Sequence, residues 1–298
     1  MAFTKKRTWN IDFMRLRRGA LILSLVAVLA SLGLLATKGL NLGIDFTGGS
    51  LIQVEFPEAV AVEEVRTALE SVGKGGSQIQ AYSDVGVIVR LQEDDGEDSE
   101  ASRRASLGAL KEAFPKMDVL RLEKVGPIVG QQLRQEALLG VLLALVGILV
   151  YITVRFRFRF AVASVLALIH DSILVLGLFS LTGREISLPF IAAILTIVGY
   201  SLNDTIVVLD RVRENWKDAK RLGIVSLLNL SINQTLSRTI NTSLTTFLPV
   251  LALFLWGGPV LANFSFAFLA GIVVGTYSSI FVSGAVLAEW HLKSPRLS

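Results

Sequence analysis

The stretch PFIAAILTIVGYSLNDTIVVL (residues 189–209) decides the fold, because it is long and apolar enough to cross a bilayer. A membrane helix needs about 20 mainly apolar residues. Asn203 and Asp204 interrupt this stretch, and charged residues resume at Asp210. Because a carboxylate inside a membrane span is costly, Asp204 is interpreted as a functional group that faces the interior of a helical bundle.

Five further apolar stretches accompany this one and indicate a polytopic membrane protein. Hydrophobic residues make up 52% of the 298-residue chain, which excludes an ordinary soluble fold. The chain has no cysteine and two histidines, so neither disulfides nor thiolate metal sites are expected. The six predicted spans are residues 19–37, 137–154, 160–181, 189–209, 238–256 and 264–288.

Positive charge is concentrated in alternate links between these spans. The N-terminal arm (residues 1–18) and the links after the second and fourth spans are rich in Lys and Arg. The positive-inside rule therefore places these links, both termini and the C-terminal tail (residues 289–298) in the cytoplasm. The bilayer explains the net charge of +4, so no nucleic-acid partner is expected. The first span is too long for a cleaved signal peptide and is expected to be an anchor.

A polar segment, residues 38–134, lies between the first and second spans. It carries 16 acidic and 11 basic residues, and it is predicted to lie outside the cytoplasm. Its patterns run βαββαβ, starting with SLIQVEF (residues 50–56), whose alternation predicts a half-buried strand. That order predicts an α+β ferredoxin-like extracytoplasmic domain. The acidic run EDDGEDSE (residues 93–100) lacks the ligand spacing of a calcium loop and is interpreted as a solvated loop.

Polar residues of the fourth and fifth spans form a candidate site. Arg238 and Thr242 are four residues apart and share one face of the fifth span. If that face meets the fourth span, Asp204 gains a guanidinium and hydroxyl groups as neighbours, and Asn203 adds an amide.

A buried carboxylate opposite an arginine can gain and lose a proton. Desolvation favours the neutral form of Asp204 and Arg238 favours the ionised form, so a change in water access changes its proton occupancy. One charge that crosses 100 mV releases about 2.3 kcal/mol, which is enough to shift a two-state equilibrium. Two alternatives stay open: a static pair that fixes helix register, and Na⁺ in place of H⁺ as the coupling ion.

His170 and Asp171 in the third span have no assigned role. Neighbouring residues on a helix point about 100° apart, so the two are as compatible with holding helices together as with proton transfer. Asp171 and Asp204 together also raise the possibility of an intramembrane protease. The sequences LIHDS and SLNDT lack the GxGD pattern of the aspartyl class, and no GxSG element accompanies His170. No enzyme activity is therefore expected.

Small residues recur at a spacing of four in the sixth span. Gly271 and Gly275 are followed by Ser279 and Ser283. A small-xxx-small pattern allows two membrane helices to approach closely, and a close helix contact is predicted here.

Six motifs, in order along nearly the whole chain, resemble one family of transport proteins. The chain is similar to the SecF subunits of the bacterial SecD/SecF protein-translocation complex, which belong to the resistance-nodulation-division (RND) transporter superfamily. The motifs are DFMRLRRGAL (12–21), LGIDFTGGSLIQVEF (42–56), ALIHDSILVLGLFSL (167–181), GYSLNDTIVVLDRVREN (199–215), QTLSRTINTSLTT (234–246) and WGGPVL (256–261).

The resemblance implies an α-helical, multi-pass protein of the bacterial inner membrane, with an RND-type half-bundle of six transmembrane helices. It implies a heterodimer with SecD that uses the proton-motive force to promote translocation of secreted, unfolded polypeptides. These chains would pass through the SecYEG channel, with its accessory membrane subunits, after SecA has driven them in. Asp204 would be the proton-pathway carboxylate, with Arg238 and Thr242 as its partners. No cofactor is implied, and no residue is assigned to polypeptide binding.

Two other functions stay open. An RND-type exporter of small molecules or lipids would use the same proton machinery, but it would be expected to carry both half-bundles in one chain. A passive scaffold of the translocon would act without protons.

Overall fold

The computed structural model describes residues 10–91, 99–156 and 158–293. Residues 1–9 of the predicted arm, most of the acidic run and the last five residues of the predicted tail lie outside the described residues. The chain divides into two units. The membrane unit consists of the residues up to Asn41 together with those from Val141 onward, and the second unit is Leu42–Gly140.

The described residues include two 3-10 helices, Phe13–Leu16 and Asn215–Asp218. The α-helices and β-strands follow in chain order. They are α1 (Arg17–Thr37), β1 (Asn41–Leu42), α2 (Ile44–Thr47), β2 (Gly49–Glu55), α3 (Val62–Glu70), β3 (Gln78–Ala81), β4 (Gly86–Leu91), α4 (Ser99–Ala113), β5 (Asp118–Val125), α5 (Pro127–Arg155), α6 (Phe158–Thr182), β6 (Glu185–Ile186), α7 (Leu188–Glu214), α8 (Ala219–Leu222), α9 (Ile224–Trp256), α10 (Gly258–Phe281) and α11 (Ser283–Lys293).

Six helical stretches in the described residues are long and apolar enough to cross a bilayer, which confirms the predicted number. They are Phe13–Thr37, Pro127–Arg155, Phe158–Thr182, Leu188–Leu222, Ile224–Trp256 and Val260–Lys293.

The ends of these helices differ from the predicted spans. Helix α5 begins at Pro127 rather than 137, and α9 begins at Ile224 rather than 238, because turns that mix polar and apolar residues extend both helices beyond the predicted spans. The sixth stretch is interrupted at Val282. Helix α11 then runs to Lys293, so the tail predicted from residue 289 is helical over its first five residues.

The membrane unit packs around α6, α7 and α10. Helix α1 lies against α6, and a Cβ atom at Gly177 would fall 2.3 Å from the Cβ of Ser31. Helix α10 lies against α7 at Gly271, which faces Ile197, and at Gly275, which faces Ser201. The predicted close contact of the Gly271 and Gly275 face is therefore confirmed, and its partner is α7.

The second unit has the predicted βαββαβ order and a ferredoxin-like sheet. The strand order is β3-β4-β2-β5, and every neighbouring pair is antiparallel. Ile52, Val54 and Phe56 pack with the apolar sides of α3 and α4. These residues are the face of SLIQVEF that was predicted to be buried.

Strand β2 is not half-buried, which corrects the interpretation of its alternation. Gln53, predicted to face solvent, is only 2% exposed, and Leu51 is buried beside it. Because β2 is a central strand, Gln53 lies between Ile88 on β4 and Arg121 on β5, whose side chains share its face of the sheet. Alternation in one strand does not reveal what covers the second face of a sheet.

Two glycines connect α2 to β2, and the first has a conformation that only glycine adopts readily. Gly48 has φ 74° and ψ 173°, a region that is essentially restricted to glycine. A Cβ atom there would lie 2.8 Å from the Cα of Pro127, and one at Gly130 would lie 2.8 Å from the Gly48 nitrogen. The first turn of α5 therefore packs directly on this turn.

We expect Gly48→Ala to destabilise the protein by about 1–3 kcal/mol, because the added methyl meets rigid backbone in a strained conformation. Thermal unfolding of the purified chain in detergent measures the effect. Gly76→Ala is the matched control, since a Cβ at Gly76 has nothing within 4 Å. Equal unfolding midpoints for the two variants would contradict this account of the turn.

Candidate functional site

Helix α7 carries Asp204 into the interior of the membrane unit. Pro189 lies in its first turn, where backbone N–H groups have no partner within the helix, so the missing N–H of proline costs no hydrogen bond. Arg211 and Arg213 lie in its last turn, where cations are favoured by the helix dipole. Between these ends Asp204 is only 2% exposed, so its carboxyl group is shielded from lipid. Its Oδ2 atom has no hydrogen-bond partner among the described residues.

Arg238 on α9 is the charged partner that the structure brings near Asp204. Its guanidinium exerts a Coulombic attraction on the Asp204 carboxyl. No hydrogen bond between the two side chains is found in the described part of the chain. Arg238 is itself exposed, so the pair joins a buried acid to an accessible base.

Arg238 and Asn203 line one polar cavity between α7 and α9. Its volume is about 470 Å³. Such a volume holds roughly ten or more water molecules, at about 30 Å³ each. The lining residues are Asn203, Ile206, Val207, Asp210, Arg211, Glu214, Gln234, Thr235 and Arg238.

Thr242 lies one turn beyond Arg238, but its hydroxyl bonds within its own helix. Its Oγ1 donates to the carbonyl oxygen of Arg238 at 2.8 Å. The structure therefore places Thr242 on the Arg238 face without a hydrogen bond to Asp204. Two other hydroxyls, those of Thr205 and Thr239, are buried without a partner among the described residues. Sequence reasoning missed both, although each directly follows one member of the charged pair.

A second buried polar cluster connects α6, α7 and α10. Nδ1 of His170 lies 2.9 Å from Oδ1 of Asp171. Oδ2 of Asp171 accepts hydrogen bonds from the hydroxyls of Ser201 at 2.5 Å and Ser278 at 2.7 Å. Ser201 lies one helical turn before Asp204, so this cluster holds the helix that carries the candidate acid.

The cluster continues to α1 through an aromatic side chain. The rings of His170 and Tyr277 stack with centroids 6.2 Å apart. The Tyr277 hydroxyl donates to the carbonyl oxygen of Ala20 at 3.0 Å and lies 3.1 Å from the Ser24 hydroxyl. Sequence reasoning left His170 and Asp171 without partners. The three-residue spacings of Ser201 to Asp204 and of Gly275 to Ser278 were the signals that could have indicated these contacts.

The described residues contain no cluster of three or more His, Cys, Asp or Glu side chains that could hold a metal ion. The candidate site brings a buried acid on α7 near an accessible base on α9. Such a pair can bind a proton or pair charges.

Two family signatures match the chain. "Protein export membrane protein SecD/SecF, C-terminal" covers residues 106–293, and "SecD/SecF GG Motif" covers residues 33–57. The second match includes Gly48 and Gly49, which form the turn that packs against α5.

Full-length relatives carry the same description. The chain is 47% identical to the protein translocase subunit SecF of Desulfurispirillum indicum, over 96% of this chain and 93% of the relative. It is 42% identical to SecF of Vibrio alginolyticus, over 97% and 94% of the two chains. The protein translocase subunit SecDF of Thermus thermophilus is 47% identical over 89% of this chain and 36% of its own.

A solved structure shares the fold. The crystal structure of SecDF, described as a translocon-associated membrane protein from Thermus thermophilus, aligns with a TM-score of 0.88 at 43% identity. The alignment covers 97% of this chain and 40% of that one. The chain therefore spans less than half of the SecDF chain that it matches.

We expect Gly271→Ala to destabilise the membrane unit by about 1–3 kcal/mol, because overpacking forces neighbouring side chains from their positions. The new methyl would lie 2.4 Å from Cγ1 of Ile197. Thermal unfolding in detergent is the measurement. Gly199→Ala on α7 is the control, since a Cβ there meets nothing within 4 Å. A destabilisation of the same size in both variants would contradict the α7 to α10 contact.

Proposed function

Because the chain belongs to the SecD/SecF family of protein-export membrane proteins, we propose that Asp204 and Arg238 couple proton movement to protein export. The chain is a protein-export accessory subunit, as its full-length relatives are protein translocase subunits. The proposal concerns the energy source and the residues that use it.

The observation that carries this proposal is the position of the Asp204 carboxyl. It is buried within the bundle with one oxygen unpartnered among the described residues, while Arg238 borders a cavity large enough for water. A buried acid is neutral when desolvation dominates and ionised when a cation or water approaches. Movement of the exposed Arg238 toward Asp204 or away from it thus changes the number of protons bound.

The membrane potential supplies enough energy for this change. One elementary charge that moves through 100 mV releases about 2.3 kcal/mol. That energy shifts a two-state equilibrium by roughly 50-fold. A single proton per cycle is therefore sufficient to reverse the populations of two conformations of similar energy.

Association with SecD is supported by the Thermus thermophilus relative, in which this chain corresponds to one part of a longer SecDF chain. We assign to SecD the second half of the proton path and to the SecYEG channel the delivery of unfolded, secreted polypeptides. The Leu42–Gly140 unit would contact the emerging polypeptide. Its movement would follow the protonation of Asp204.

The protein is a multi-pass inner-membrane protein, and its orientation follows from the charges at the helix ends. Arg17 at the start of α1 pairs with Glu289 near the end of α11 at 3.0 Å. Arg155 at the end of α5 pairs with Asp210 on α7 at 3.7 Å. These basic ends mark the cytoplasmic side by the positive-inside rule, with the Leu42–Gly140 unit on the periplasmic side.

We expect Asp204→Asn to lower proton-driven export by at least about tenfold, because the amide cannot exchange a proton and no charge senses the gradient. The assay uses inner-membrane vesicles that contain the SecD partner and follows the export of a secreted chain after a proton gradient is imposed. A Na⁺ gradient, imposed separately, distinguishes the two coupling ions.

Asp218→Asn is the matched control for this variant. Asp218 ends the 3-10 helix Asn215–Asp218 between α7 and α9, and it pairs with Arg221 at 3.2 Å. Export with the Asp218→Asn variant should equal export with the unmodified protein. If the assembled complex with Asp204→Asn exports at the normal rate, coupling through this residue is ruled out and a scaffold function is favoured.

The absence of cysteine from the chain allows a direct test of orientation. We expect Ser71→Cys, at an exposed position of the Leu42–Gly140 unit, to react with a membrane-impermeant maleimide added outside intact spheroplasts. Lys220→Cys, exposed between α7 and α9, should react only after the membrane is opened. The opposite labelling pattern would reverse the assigned orientation.

A further inference from the structure

His170 and Asp171 form a buried pair that the proposed coupling of Asp204 does not use. Asp171 is 1% exposed and His170 is 5% exposed, while Ser201 and Ser278 are completely buried. Nε2 of His170 has no hydrogen-bond partner among the described residues. An unpaired polar atom in a protein interior is costly, and a role in another state of the protein would account for it.

The neighbours of Asp171 suit an ionised carboxylate, which only accepts hydrogen bonds. The Ser201 hydroxyl donates to Oδ2, and the Ser278 hydroxyl lies 2.7 Å from the same oxygen and 3.2 Å from the carbonyl oxygen of Gly275. Oδ1 faces Nδ1 of His170, and an ionised carboxylate accepts the Nδ1 proton there. The imidazole then has one free position, Nε2, for a second proton.

The charge of the pair favours filling that position. An ionised Asp171 beside a neutral His170 leaves a net charge of −1 in a low-dielectric bundle, which is costly. A proton on Nε2 makes the imidazole a cation and brings the net charge of the pair to zero. The pair can therefore hold one exchangeable proton.

Few other titratable groups surround the pair. Helix α7 presents Asp204, one turn from Ser201, and α10 presents Tyr277, whose hydroxyl is bonded to α1. The part of α1 that crosses the membrane contributes no titratable side chain. On α11, Glu289 pairs with Arg17 and Arg18, and His291 contacts Trp216. The acid nearest along α7 is thus the Asp204 carboxyl.

We propose that His170 and Asp171 form a second proton-binding site, and that Ser201 connects its occupancy to the position of Asp204 on α7. The two serines carry the connection, because Asp171 holds α7 and α10 through one oxygen. Gly275 packs directly on Ser201. A change in the hydrogen bonds between Asp171 and the two serines therefore moves α7 and α10 together. The effect on export rests on the proposed function, whereas proton binding by the pair does not.

Nitrogen-15 NMR of histidine-labelled protein in lipid bilayers tests proton binding. The chain has two histidines, so His291→Gln leaves His170 as a single signal. We expect a bare Nε2 in alkaline samples that gains a proton as the pH is lowered. Asp171→Asn should shift the midpoint by at least about one pH unit, a tenfold change in proton affinity.

The control variant is Ser172→Ala, next to Asp171 on the same helix. The Ser172 hydroxyl donates to the Leu168 carbonyl oxygen and does not touch Asp171. The midpoint of His170 protonation should be unchanged in this variant. If Asp171→Asn does not fold, the double variant Ser201→Ala and Ser278→Ala replaces it and should also move the midpoint. An Nε2 that stays bare over the whole range, or a midpoint that no variant moves, would overturn the proposal.

Export assays separate this site from the proposed function. His170→Gln should lower proton-driven export by at least about fivefold, since one proton-binding position is lost. Asp204→Asn should leave the titration of His170 detectable. Normal export by the His170→Gln variant would rule out a connection to Asp204, even if His170 titrates in the protein that retains it. Normal export by Asp204→Asn together with a titrating His170 would overturn only the proposed function.

Discussion

The structure of the membrane unit depends on the cost of placing polar groups in hydrocarbon. A charged side chain at the centre of a bilayer costs about 2.5–3.5 kcal/mol on insertion scales. Asp204 and Asp171 meet this constraint by facing the interior, where both are almost completely buried. Asp171 on α6 and Asp204 on α7 restrict how these two helices can rotate, because an outward rotation of either helix would expose a carboxylate to lipid.

Close helix packing makes this arrangement possible. Gly271 and Gly275 let α10 approach α7 until Ile197 and Ser201 touch its backbone. Only at that distance can Ser278 on α10 and Ser201 on α7 both reach one oxygen of Asp171. The small residues therefore determine the polar contacts, since a larger side chain at either glycine would separate the hydroxyls from their shared acceptor.

The sequence predicted the features that depend on local pattern. Apolar length predicted six membrane helices, and element order predicted the ferredoxin-like sheet. Contacts between distant helices were harder to predict. The partners of His170 and Asp171 lie 30 and more residues away, and spacing along one helix cannot identify a neighbouring helix. Burial of Gln53 and the helical bonding of Thr242 depend on tertiary surroundings in the same way.

The exposure of Arg238 bears on what covers this face of the bundle. The residue begins the part of helix α9 that is predicted to cross the membrane, and its side chain is exposed in the single chain. A guanidinium within that span is costly against acyl chains, which favours water or another protein as its neighbour. The polar cavity provides space for water on one side. A second half-bundle over the same face would seal that water from lipid, and the longer SecDF relatives contain the additional chain that such a cover requires. Lipid exclusion around Arg238 thus favours the proposed pairing with SecD over action as a single subunit.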